Sequence, residues 1–138
     1  MNIEIADKWL RLSERDLRAA NIALSHGQTD EYIDAGFHCQ QAVEKALKAY
    51  IFAVFNIDPK KDKKYKTHDL FVLSEYTKLE FSPQQITLFS NLNSLAVDIR
   101  YECEDESIII ASLSFSICEE YYSQTVELIS WIKNKLYA

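Results

Sequence analysis

Apolar side chains recur at steps of three and four residues through most of the chain, which is the spacing of amphipathic helices. In the first such segment, from about residue 5 to residue 26, the apolar positions are Ile5, Trp9, Leu12, Ala19, Ala20 and Ala23. Gly27 suits the left-handed position that follows many helix ends, and Asp30 is the predicted N-cap of a second helix running to about residue 56. The apolar stripe of this second helix is Ile33, Phe37, Val43, Leu47, Tyr50, Ile51, Val54 and Phe55. Because only a few residues join the two segments, they are predicted to pack as an antiparallel hairpin.

The next part of the chain carries two further helical patterns. After a proline-broken, lysine-rich linker at residues 58–66, Thr67 is the predicted N-cap of a short helix from His68 to about residue 78. The run Ser82-Pro83-Gln84-Gln85 has the spacing of a capping box and predicts the start of a fourth helix that ends near Arg100. Its predicted inward positions are Ile86, Phe89, Leu92, Leu95, Ala96 and Ile99.

A last helix is predicted towards the end of the chain. Its apolar positions are Phe115, Cys118, Tyr122, Thr125, Ile129, Ile132 and Leu136. Its beginning stays open, because the three isoleucines at residues 108–110 would also suit a short strand. We favour helix there, since a single strand would have no partner. The pattern as a whole predicts an all-α protein, an up-and-down bundle of four to five helices forming a single domain of residues 1–138.

Composition narrows the classes of function. The 138 residues include only two glycines and two prolines, which excludes a β-sandwich, a glycine-rich phosphate loop and a dinucleotide-binding fold. The net charge of −6 disfavours binding to duplex DNA. The three cysteines are widely spaced, so neither a disulfide framework nor a zinc ribbon is expected, and no metal or other cofactor is predicted.

Localisation follows from the same composition. The first residues are acidic, unlike those of a signal peptide. The uncharged stretch at residues 107–118 would span only about 18 Å as a helix, against about 30 Å of bilayer core. We therefore expect a cytoplasmic protein without a membrane span.

One polar set on the second helix is a candidate ligand site. His38, Gln41, Lys45 and Lys48 follow one another at steps of three, four and three, so they lie along one side of the helix. A histidine, an amide and two lysines can hydrogen-bond a phosphate or a base edge. The alternative is a solvated face, on which Lys48 forms an ordinary ion pair with Glu44 four residues before it.

The linker offers a second, related candidate. Residues 60–66 carry five lysines and one aspartate, a local charge of +4 that is followed by His68. Such a loop is either simply soluble or steers phosphate towards the predicted helix start at His68. If the fold brings His68 to the second helix, the sequence predicts a weak nucleotide pocket, with affinity of about micromolar to millimolar.

Three motifs in this order resemble the HEPN family (higher eukaryotes and prokaryotes nucleotide-binding). They are the segment Phe37-His38-Cys39-Gln40-Gln41-Ala42-Val43-Glu44-Lys45-Ala46-Leu47-Lys48-Ala49, the segment Lys66-Thr67-His68-Asp69-Leu70 after a basic loop, and Arg100-Tyr101 near the end of the fourth helix. Trp9-Leu10, with Asp16-Leu17 and Ala20, resembles the opening helix of the family. The resemblance runs from about residue 5 to residue 135.

The resemblance implies a bundle of four or five helices, commonly a homodimer, and often encoded beside a minimal nucleotidyltransferase as a toxin–antitoxin pair. Many members of the family are ribonuclease toxins or nucleotide-binding partners. The ribonucleases carry an arginine followed, after four to six intervening residues, by a histidine. The positions that correspond to this histidine after Arg100 are Asp105, Glu106 and Ser107, and acidic groups there repel a phosphodiester.

The leading interpretation is therefore a non-catalytic binding module, a partner of a minimal nucleotidyltransferase and a candidate for binding nucleotide or RNA. Its candidate binding residues are His38, Gln41, Lys45, Lys48, His68 and Arg100. The alternative is a divergent metal-independent ribonuclease that uses Arg100 with His38 or His68. Enzymatic activity is the less favoured of the two.

A homodimer is also predicted from the last helix. Beside the stripe already named, this helix carries a second apolar stripe of Ile117, Tyr121, Leu128 and Trp131. One stripe is expected to face the core and the other a second copy of the chain.

Overall fold

The computed structural model describes the backbone of residues 1–26, 29–100 and 114–138, and the side chains of these residues except 29–30 and 96–100. In these ranges the chain forms five α-helices and no strand. The helices are α1 (Ile3–Ser25), α2 (Thr29–Val54), α3 (Leu70–Thr77), α4 (Pro83–Arg100) and α5 (Phe115–Tyr137). The linker before α3 contains one turn of 3-10 helix, Lys63–Tyr65. The all-α prediction is confirmed.

Helix α2 is the centre of the bundle and contacts each of the other four helices. Its inward residues are largely alanine and aliphatic, and those buried in the core are Cys39, Ala42, Val43, Ala46, Leu47, Ala49, Ile51, Phe52 and Ala53. The alanines let α1 approach closely. The two helices run antiparallel, because the amide of Asn2 donates to the carbonyl of Ala53 (3.0 Å) at one end and Ser13 Oγ donates to the carbonyl of Ala42 (2.7 Å) farther along. The predicted hairpin is present.

The first half of the inward face of α1 differs from the predicted stripe by about one residue. Ile5 and Trp9 are half-buried at the edge of the core, whereas Ala6, Leu10, Ser13 and Asp16 are buried. Farther along the helix, Ala20 and Ala23 are buried as predicted. The small side chains fit the close contact with α2, and the larger Trp9 ring packs beside it, 5.3 Å from the ring of Phe52.

Helix α3 begins later than predicted. Its N-cap is Asp69, whose Oδ1 accepts from the amide of Phe71 (2.9 Å), while Thr67 Oγ1 only closes a turn by accepting from the amide of Asp69 (3.1 Å). Asp69 Oδ1 also accepts from Asn93 Nδ2 on α4 (3.0 Å), and this contact favours it over Thr67 as the cap. His68 therefore lies in the turn before α3 and does not open the helix.

The start of α4 agrees with the sequence. Ser82 and Gln85 form the capping box: the amide of Gln85 donates to Ser82 Oγ (3.1 Å), and the amide of Ser82 donates to Gln85 Oε1 (2.8 Å). The buried face of α4 is Leu88, Phe89, Leu92 and Leu95. Ile86, predicted to face inward, is 46% exposed. The side chains of Ala96 and Ile99 lie outside the described residues.

Helix α5 buries most of the predicted stripe. Its core residues are Cys118, Thr125, Leu128, Ile129, Ile132 and Leu136, whereas Phe115 is 42% exposed. The second stripe does not form a free face: Leu128 is buried, and the Trp131 ring packs against the core, 5.3 Å from the ring of Phe81. The homodimer stays a prediction.

Two further expectations concern the ends of helices. Helix α2 begins at Thr29, so Asp30 lies in its first turn and is not the N-cap. Gly27 and the isoleucines at residues 108–110 lie outside the described residues. Among the helices that are described, none is long and apolar enough to cross a membrane.

Candidate functional site

Two of the predicted site residues meet a carboxylate of α1. His38 Nδ1 lies 3.1 Å from Asp16 Oδ1, and Lys45 Nζ donates to Asp16 Oδ2. The Asp16 side chain is only 9% exposed, whereas those of His38 and Lys45 are 32% and 25% exposed. A carboxylate this well buried needs a charged or hydrogen-bonding partner, and α2 supplies both.

Two other predicted residues meet a carboxylate of α2 itself. Lys48 Nζ lies 3.2 Å from Glu44 Oε2, and His68 Nδ1 lies 2.7 Å from Glu44 Oε1. The side chains of Glu44 and Lys48 are almost fully buried, but that of His68 is 53% exposed. Lys48 also lies over the Trp9 ring, 6.0 Å from its centre. The predicted Glu44–Lys48 pair is therefore present, with His68 as a third member.

The turn that carries His68 is fixed from both sides. Gln40 on α2, which is fully buried, donates from Nε2 to the carbonyl of His68 (2.8 Å). On the other side, Asn93 Oδ1 on α4 accepts from the amide of Leu70 (3.1 Å). The side-chain amides of Gln40 and Asn93 hold this turn between α2 and α4. The packing of these helices therefore sets the position of the His68 ring.

The sequence-predicted residues thus divide into two clusters on α2. His38 and Lys45 gather at Asp16, and Lys48 and His68 gather at Glu44. The charges of the two lysines and the two carboxylates sum to zero. The arrangement is a pair of internal ion-pair clusters, each of which a phosphate would have to open before it could bind a lysine there.

Gln41 and Arg100 are the remaining predicted residues. Gln41 lies on the same side of α2 and is half-buried. Arg100 is the last residue of α4, seven residues beyond Asn93, which places its backbone about 10 Å farther along the helix axis than Asn93. Its side chain lies outside the described residues.

Sequence reasoning missed the role of Asp16 and of Gln40. Asp16 is three residues after Ser13 and four before Ala20, so it lies on the buried stripe of α1, and a charge on such a stripe requires an internal partner. Gln40 lies four residues before Glu44, on the side of α2 next to the predicted stripe. Both were detectable as polar residues on an apolar face, but the identity of their partners was not.

The lysine-rich linker is ordered by local contacts. Asp62 caps the 3-10 turn, accepting from the amide of Lys64 (3.2 Å), and Tyr65 is buried. Lys64 Nζ lies 5.0 Å from the centre of the Tyr65 ring and 5.3 Å from that of Tyr76. A hydrogen bond with Tyr65 raises the pKa of Lys64. The other lysines of the linker, at residues 60, 61, 63 and 66, are exposed.

Cysteine and metal chemistry find little support in the described residues. Burial raises the pKa of the Cys39 thiol to about 12, so the thiolate, which is the nucleophile, is disfavoured there. In the described ranges, no group of three or more His, Cys, Asp or Glu side chains is placed to hold a metal ion.

Comparison with known proteins gives one match. The family model described as HEPN domain matches residues 6–135, nearly the whole chain. No curated protein and no solved structure matches the chain significantly. The matched range includes all three motifs quoted above and the helical bundle that carries them. The chain therefore belongs to the HEPN domain family.

Proposed function

We propose that this chain is a non-catalytic HEPN module that acts through binding, with a minimal nucleotidyltransferase as its protein partner. One observation carries the proposal: the basic side chains of α2 and of the turn before α3 are paired with the chain's own carboxylates, Asp16 and Glu44. Cations used in this way hold helices together. A phosphate-cleaving centre requires such groups to be available for the substrate.

Association with a nucleotidyltransferase is tested by co-expression. The tagged chain and a minimal nucleotidyltransferase from the same genome are expressed together and purified through the tag, followed by size-exclusion chromatography with light scattering. A complex of fixed stoichiometry that survives gel filtration is the expected result. Two separate peaks at micromolar concentration would refute the partner assignment.

Nucleotide binding is expected to be weak, because phosphate competes with buried carboxylates for the lysines. Calorimetry with ATP and GTP should give affinities no tighter than about micromolar, weakening as salt is added. Lys45→Ala should weaken binding more than Lys61→Ala, since α2 positions Lys45 whereas Lys61 is on an exposed turn. Equal losses in the two variants, or no heat at millimolar nucleotide, would leave protein binding as the function.

The ion pair between Asp16 and Lys45 leads to a further prediction for the same titration. Asp16→Asn keeps the size of the side chain but removes the charge that holds Lys45. If the carboxylate keeps nucleotide out, the variant should bind ATP several times more tightly than the parent chain. Unchanged affinity would mean that phosphate does not compete at this cluster.

A metal-independent ribonuclease is the second candidate, and the geometry of His68 favours it. A carboxylate on Nδ1 orients an imidazole for proton transfer through Nε2. The His68 side chain is 53% exposed, and within the described part of the chain its Nε2 forms no hydrogen bond. His38 has the same Nδ1 contact with Asp16 but is less exposed. Arg100 would stabilise the phosphorane.

This candidate is tested on single-stranded RNA in the presence of a chelator. We expect no cleavage by the purified chain. Cleavage that is lost in both Arg100→Ala and His68→Ala, but retained in Lys61→Ala, would establish the ribonuclease and refute the binding-only proposal.

A further inference from the structure

An open groove between α1 and α5 lies apart from the ion-pair clusters. It encloses about 900 Å³ and is lined by the C-terminal part of α1 and the first half of α5. Its apolar lining is Leu24, Phe115, Tyr122 and Val126. Two of these are large side chains left in solvent, Phe115 at 42% and Val126 at 39%. Exposed apolar side chains gathered in a concave surface are typical of a protein-binding site.

The apolar surface continues on α1. Ile22 is 59% exposed and lies three residues before Ser25, which lines the groove, so both are on the same face of α1. The Phe115 ring is held in place from the other side, 5.7 Å from the ring of Tyr32 on α2. The groove is thus a fixed feature of three packed helices.

The charge of the groove is of one sign. Its acidic lining residues are Glu119, Glu120 and Glu127, all exposed, and the described lining contains no lysine or arginine. Glu120 accepts a hydrogen bond from Gln124 (3.2 Å), and none of the three forms an ion pair with another described residue. An acidic rim around an apolar floor is complementary to a cationic amphipathic segment.

The length of the groove indicates the form of that segment. Along α5 it runs from Phe115 to Glu127, which is about 18 Å at the rise of an α-helix. A helix of about twelve residues has the same length. Its apolar residues at steps of three and four would meet the floor, while flanking lysines or arginines would reach the glutamates.

We propose that the α1–α5 groove binds a short amphipathic helix rich in lysine or arginine, presented by a partner protein. The proposal rests on the proposed function as an interaction module and adds the surface and the chemistry of the partner. It does not depend on the partner being a nucleotidyltransferase.

The probe is a labelled twelve-residue helical peptide of leucine and lysine with one apolar face, titrated by fluorescence anisotropy. A peptide of the same composition in scrambled order and a leucine–glutamate peptide serve as controls. We expect saturable binding of the first peptide only. Equal binding of the scrambled peptide, or binding of the acidic peptide, would overturn the proposal.

Matched variants locate the binding site. Glu119→Lys combined with Glu127→Lys should weaken the peptide at least tenfold, and Phe115→Ala should weaken it several-fold. The control pair, Glu75→Lys with Glu80→Lys, makes the same change in net charge at exposed positions away from the groove and should stay within twofold of the parent chain. Equal effects of the two double variants would refute the groove as the site.

Three further outcomes decide between this inference, the proposed function and self-association. If the nucleotidyltransferase co-purifies equally well with the groove variant and the peptide does not bind, the interaction module stands and the groove proposal is wrong. If the peptide binds in the groove but no nucleotidyltransferase co-purifies, the groove proposal stands and the partner assignment is wrong. If the groove variants change the oligomeric state measured by sedimentation while no peptide binds, a second copy occupies the groove, which also overturns the proposal.

Discussion

Replacing Asp16 by alanine should destabilise the protein more than any other single change to a charged side chain of α1. The change removes a carboxylate that is 9% exposed and leaves Lys45 and His38 without their partner at the α1–α2 contact. Breaking a buried ion pair by removing one member costs about 3–5 kcal/mol. Since the Lys45 side chain is 25% exposed, its ammonium group can turn towards water, which lowers the expected loss to about 2–3 kcal/mol.

The control is an ion pair from the same helix that lies at the surface. Glu14 Oε1 is 3.0 Å from Lys133 Nζ, and both side chains are 41% exposed. Such a pair contributes about 0–1 kcal/mol, so Glu14→Ala should cost less than about 1 kcal/mol. The two variants remove carboxylates that are only two residues apart on one helix, so a difference between them measures the effect of burial.

The assay is urea unfolding followed by circular dichroism, with the slope compared across variants to confirm that the same surface is exposed. A double-mutant cycle with Asp16→Asn and Lys45→Met then isolates the pair, with an expected coupling of about 1–3 kcal/mol. A loss for Asp16→Ala within about 0.5 kcal/mol of that for Glu14→Ala would refute the reasoning that burial makes the Asp16 cluster structural.

Three further predictions concern single groups. Ser82→Ala removes one half of the capping box and should lower the free energy of unfolding by about 1 kcal/mol in the same urea assay. A hydrogen bond to Asp7 raises the pKa of Tyr137 to about 12, so the neutral phenol stabilises the fold below the unfolded pKa of about 10, and this contribution is lost as pH rises from 10 towards 12. An ultraviolet titration should show one tyrosine ionising near pH 12 that is absent in Tyr137→Phe. Burial raises the thiol pKa to about 12 for Cys39 and about 11 for Cys118, so neither should be alkylated by iodoacetamide at pH 8 until urea is added, as read by mass spectrometry.

The fold class and the main helices can be read directly from the amino-acid sequence. The spacing of apolar residues fixed which segments are helical, because a stripe at steps of three and four can be buried only as a helix. Capping of α4 was equally readable, since Ser82 and Gln85 satisfy each other's backbone amides within four residues. Such local signals need no knowledge of the rest of the chain.

Where the sequence allows two neighbouring residues the same role, tertiary contacts decide which of them takes it. Thr67 and Asp69 can both cap a helix, and α3 begins after Asp69, whose carboxylate is also held by Asn93 from α4. In the same way, the sequence predicts that the second apolar stripe of α5 is available to a partner. In the structure, Trp131 of this stripe packs beside Phe81 from the turn before α4. The sequence places a residue on a face, whereas the neighbouring element decides what that face meets.

The candidate site shows most clearly which features follow from the sequence and which depend on the packing of the helices. The spacing of His38 and Lys45 put them on one side of α2, and a phosphate was as good a partner for them as a carboxylate. Asp16, 29 residues before Lys45, became that partner only when α1 packed antiparallel against α2. Helical periodicity fixes the direction of a side chain about its own axis, but a charge is neutralised by whatever lies within a few ångströms of it, and that neighbour is set by the packing of the whole bundle.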